Sequence, residues 1–136
     1  MLRDLSVQGP RNTLFKNIPV MSLYAVDKGI RGSINSAAAS HEWADTHSVH
    51  TLKLNGNRIS SIEGLNDLFE SAVFINLSGN EIESINPLHL AGMNSLQVLD
   101  LACNSLTEIP PGAFPPMASL FKLNLAYNSI TSIEGL

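Results

Sequence analysis

Cysteine is nearly missing: Cys103 stands alone in 136 residues, so the chain forms no internal disulfide. Charge is sparse as well. Asp, Glu, Lys and Arg make up 15% of the chain, the net charge is −4 and the pI is near 5.4. That acidic balance, with no basic cluster to offset it, argues against an electrostatic grip on nucleic acid or an anionic membrane. No apolar run approaches the roughly 18 residues of a membrane-spanning helix. Met1-Leu2-Arg3-Asp4-Leu5-Ser6 puts an acid where a signal peptide carries its apolar stretch, so no secretory signal is expected. A Gly-x-Ser-x-Gly elbow, a phosphate-binding glycine loop and a Cys-x-x-Cys pair are all missing. The expectation is a chain with no catalytic residues, no cofactor and no metal.

What is present is a period. Asn57, Asn80, Asn104 and Asn128 follow one another at 23, 24 and 24 residues. A Leu/Ile-x-Leu pair precedes each of them: Leu52/Leu54, Ile75/Leu77, Leu99/Leu101 and Leu123/Leu125. Ile59, Ile82, Leu106 and Ile130 follow two residues later, and Ile62, Ile85, Ile109 and Ile133 three residues after those. With 44% apolar residues and enough length for a core, the chain reads as one folded domain. Strand alternation turns each Leu/Ile pair inward, and no unit buries that face alone, so stacking makes the core. The carboxamides have both donor and acceptor capacity. Asn57, Asn80, Asn104 and Asn128 are therefore expected to bond the backbone of their own and adjacent turns in a structural ladder.

This pattern resembles the leucine-rich repeat family over residues 49–136, with three full units and one truncated one. The first unit is similar to the short class found in phosphatase regulatory subunits and axonemal light chains. The third, through Ile109-Pro110 and Ala113-Phe114, is similar to the longer class common in receptor ectodomains. The resemblance implies an α/β solenoid with short parallel strands on a concave face and irregular or short helical convex segments. Extracellular members usually carry cysteine-rich caps. Their absence here leads to an expected cytoplasmic setting, cytoskeletal or ciliary in the relatives of the short class. Asn76-Leu77-Ser78 spells a glycosylation sequon, but its register puts Asn76 in a strand, so it is taken as accidental.

Residues 1–48 carry less signal. Pro10 and Pro19 make 1–19 an expected irregular lead-in. Residues 20–34 hold a worn repeat, with Lys28 where asparagine belongs, and Gly29-Ile30-Arg31-Gly32 is expected to be a turn. Residues 36–45 are expected to form a short helix, Trp43 on its inner side, serving as a lid over the array. His41-Glu42-Trp43-Ala44-Asp45 is similar to an H-E-x-x-H zinc helix with its second histidine replaced. With His47 and His50 nearby, the expected outcome is still a solvated helix without metal. At the other end, Ile130-Thr131-Ser132-Ile133-Glu134-Gly135-Leu136 repeats Ile59–Leu65 with one substitution and then stops. Its exposed apolar edge implies either a longer array or association through the last unit.

The expected function is non-catalytic binding of a protein partner on the concave strands, as an intracellular scaffold or regulatory subunit. Alternatives are a piece of an extracellular receptor or docking repeats of a larger enzyme. The register turns Lys53, Asn76, Asp100 and Asn124 outward as a polar column, with Phe74, Phe121, Lys122 and Tyr127 around it. Large aromatics on a wet face resemble interface anchors. Cys103 is expected to be a partly buried, inert thiol. Glu63, Glu81, Glu83, Glu108 and Glu134 are expected to be solubilising charges on convex turns.

Overall fold

The computed structural model describes residues 5–8 and 20–136, with strands β1 (Leu5–Gln8), β2 (Val20–Tyr24), β3 (Arg31–Ser33), β4 (Val49–Lys53), β5 (Arg58–Ser61), β6 (Phe74–Asn76), β7 (Val98–Asp100) and β8 (Lys122–Asn124). Two short helices, α1 (Ile34–Ser40) and α2 (Leu65–Leu68), and 3₁₀ turns at Thr46–Ser48 and Pro87–His89 complete it. The main sheet runs β1-β2-β4-β6-β7-β8, and every pairing from β2 to β8 is parallel. Parallel neighbours need a long crossover. Here the crossover is the remainder of each repeat, so each unit makes one coil of a stack.

The inward leucines behave as strand alternation requires. Leu52, Leu54, Ile75, Leu77, Leu99 and Leu101 are buried, joined by Ile59, Ile62, Ile82, Ile85, Leu106 and Ile109 from the return limb of each coil. Together they form one continuous core with Leu65, Phe69, Leu90 and Leu96. Packing weakens at the last coil, where Leu123, Leu125 and Ile130 are only half-buried.

The asparagine ladder stitches coil to coil. Asn80 Nδ2 donates to the carbonyls of Leu77 in its own coil and Leu54 in the one before, both at 3.0 Å. Its Oδ1 accepts from Ile59 N at 2.9 Å. Asn104 and Asn128 repeat the scheme one and two coils on, their Oδ1 atoms accepting from Ile82 N and Leu106 N. Asn57 reaches back as well, accepting from Lys28 N and Ile30 N and donating to Ala25 O. Each bond satisfies a backbone group that has left the sheet and would otherwise sit unpaired.

Expectations for the N-terminal part need correction at several points. The worn repeat is part of a longer unit: β2 pairs with β4 and Ile30 and Ile34 are core, so residues 20–48 form a coil of the same stack. The helix is shorter and earlier than expected. Ser33 caps it by accepting from Ser36 N at 3.0 Å, and Trp43 lies beyond its end. Nor does α1 cover the end of the stack. It lies alongside α2 of the next coil as the return limb of its own coil. The outer edge of β2 is occupied instead by β1, antiparallel, within what was expected to be an irregular lead-in. The rest of that lead-in lies outside the described residues. Gly29 does turn the chain at positive φ, but Arg31 and Gly32 belong to β3, which pairs with β5 in a second, two-stranded parallel sheet.

Candidate protein-binding surface

Residues between the buried leucines form rows across the strip. Thr51, Phe74, Val98 and Lys122 are cross-strand partners, as are Lys53, Asn76, Asp100 and Asn124. Strand β2 extends both rows with Ser22 and Tyr24. The polar column expected from the sequence is therefore one row of adjacent side chains, with Tyr24 as a member that sequence reasoning missed.

The Lys53 ammonium lies over two aromatic rings, 5.1 Å from the centroid of Tyr24 and 5.8 Å from that of Phe74. All three side chains are half-buried. A cation over a ring face is held by the ring quadrupole, within the usual reach of about 6 Å. Phe74, expected as an anchor on an open face, is half-buried, with the Lys53 ammonium over its ring.

The rest of the row has local work. Asn76 Oδ1 accepts from Ser78 N at 2.9 Å and Ser78 Oγ at 2.7 Å. Asp100 Oδ1 accepts from Ala102 N, and Asn124 Oδ1 from Ala126 N, each at 3.0 Å. These are Asx turns, in which a short carboxyl or amide side chain bonds its own backbone two residues on. The polar residues at this position thus shape the strand exit. Asp100 still brings the only formal negative charge in the row.

The end of the strip is the most open part. Phe121 is 75% and Tyr127 85% exposed, and Lys122 is exposed beside them. Tyr127 occupies the position just before the ladder asparagine, where the chain turns at positive φ. Asp27, Gly56, Gly79 and Cys103 hold that position in the other coils. Cys103 is exposed there, not partly buried as expected, because a left-handed turn swings its side chain off the core.

The histidine-rich segment assembles nothing comparable. Among the described residues no three His, Cys, Asp or Glu side chains lie together as metal ligands would. His47 Nδ1 bonds Glu70 at 2.7 Å on the surface, while His41 stacks on Trp43, which meets Phe69 edge-on at 6.0 Å. The acidic residues Glu63, Glu81, Glu83, Glu108 and Glu134 are all exposed, and Glu81 accepts from Arg58 Nε at 2.9 Å.

Stacked parallel strands, buried leucine pairs and an asparagine ladder coincide with one outcome of comparison: residues 73–130 match the leucine-rich repeat family. Residues 73–130 are leucine-rich repeats by that match, and the strands before and after them continue the same parallel stack. Seven chains of solved structures resemble it. One is the BIR2 ectodomain from Arabidopsis thaliana, 20% identical, with a TM-score of 0.62 over 93% of this chain and 74% of that one. At that identity the likeness is one of fold. No curated protein matches the sequence. Leucine-rich repeats are as a class protein-interaction modules.

Proposed function

We propose that the chain is a non-catalytic module that holds a protein partner on the open face of its strand strip, acting inside the cell as a scaffold or regulatory subunit. One observation carries the proposal: Tyr24, Lys53, Phe74 and Asp100 stand in neighbouring rows of one open, hydrogen-bonded sheet. A rigid sheet that presents aromatic and charged groups at fixed spacing costs little ordering on association. The other ionisable side chains are spread over turns and strands, and among the described residues no three His, Cys, Asp or Glu converge, which suits a binding surface better than a reaction site. Exposed Cys103, without another cysteine in the chain, suits a reducing compartment.

The test is recovery of bound proteins by the wild-type chain and by a Phe74→Ala, Asp100→Asn double variant. The amide introduced by Asp100→Asn keeps the Asx acceptor, so the variant is expected to fold with little change in thermal midpoint and to lose the bound proteins. Unchanged recovery sinks the proposal. A second reading, a piece of an extracellular recognition domain, is favoured by the likeness to an ectodomain and by the Asn76 sequon. Against it, Asn76 lies in β6 between two partner strands, with its side chain tied to Ser78. A glycan found on Asn76 in the natural host decides for it.

A further inference from the structure

We infer that Tyr24, Lys53 and Phe74 form a receptor for a carboxylate side chain on the partner protein, an assignment that rests on the open strip being the binding surface. Lys53 is half-buried as a residue, and its ammonium offers three N–H donors. Its contacts are ring faces, which attract the charge but supply no lone pair. Its cross-strand neighbours, Tyr24 and Asn76, are uncharged. The ion pairs among the described residues, His47 with Glu70 and Arg58 with Glu81, do not involve it. A cation held in place and short of an acceptor is complementary to an anion arriving from outside. The two rings hold the ammonium in place, so a carboxylate placed there loses less to ordering than at a mobile surface lysine.

The same row sets a second requirement. Asp100 lies two strands from Lys53, about 10 Å at the usual strand spacing. One carboxylate oxygen of Asp100 is used by Ala102 N. The other faces the same partner with opposite sign. The geometry therefore selects a protein segment carrying an acidic group and, roughly 10 Å further along the strip, a basic one. A helix laid across the strip meets this with residues seven apart on one face, at about 1.5 Å of rise per residue.

The experiment selects binders to the full chain from a displayed library of random 16-residue peptides. Sequences enriched in Asp or Glu, and binding at least tenfold more weakly to Lys53→Met at an unchanged thermal midpoint, are the expected result. A Lys53→Glu chain is expected to prefer the same peptide with its key acid changed to Lys. Peptides lost on Phe74→Ala, Asp100→Asn but indifferent to Lys53→Met, or showing no acidic enrichment, overturn the carboxylate receptor and leave the strip as the binding face. Peptides insensitive to every strip substitution overturn both, and a library yielding no binder also counts against the receptor. Self-association of the free chain that Lys53→Met abolishes assigns the site to a second copy and overturns it too.

Discussion

At the scale of single residues, the ladder asparagines and the glycines carry the strongest constraints. Asn80 is buried and bonds four backbone groups drawn from two coils. Leucine there strands those groups without partners, so Asn80→Leu is expected to lower stability by about 1–3 kcal/mol in urea unfolding. An unchanged midpoint rejects the ladder as a stabilising device. Gly64 turns at φ +96, and a Cβ on it would come within 3.0 Å of Asn35 N in the preceding coil. Gly64→Ala then meets both a left-handed backbone and a close neighbour. The expected loss is about 1–2 kcal/mol from the backbone alone, readable as a lowered thermal midpoint. Gly29 also has positive φ but nothing within 4 Å of its added Cβ, so Gly29→Ala is expected to cost less.

At the scale of elements, the division between what the sequence disclosed and what it hid follows from sequence distance. The leucine pairs and Asn57 to Asn128 are set by local spacing, which a linear reading captures. The first coil escaped full recognition because α1 lengthens it. Lys28 precedes Asn57 by 29 residues, and the side chain that stitches this turn is supplied by Asn57 from the next coil. Tyr24 went unnoticed for that reason, and the contact of Lys53 with Phe74 depends on a diagonal neighbour on another strand. The polar column was visible in the sequence, but its Asx turns depend on how the chain leaves each strand. Within the elements, Phe69 joins α2 to the core and touches Trp43. Phe69→Ala is expected to cost about 3–5 kcal/mol and to shift the tryptophan emission to the red. A folded variant with unaltered emission refutes that contact.

At the scale of the whole molecule, stability is graded along the stack. A coil is held by its neighbours, so an end coil with one neighbour opens more easily than a middle one. Strands β4 and β6 have partners on both sides and fully buried leucines, whereas β8 pairs on one side and covers half-buried ones. Hydrogen exchange is expected to release the β8 amides first and those of β4 and β6 last. Uniform exchange across the strip rules out this nearest-neighbour picture.

The left-handed corner that carries Cys103 has a practical consequence. The chain has one thiol, exposed on the third repeat unit, and one tryptophan, seated against Phe69 in a coil nearer the N-terminus. A thiol-reactive acceptor on Cys103 and the indole of Trp43 make a donor–acceptor pair with no engineered residue. Energy transfer between them becomes a ruler along the stack, reporting whether an occupant changes the separation of these two coils.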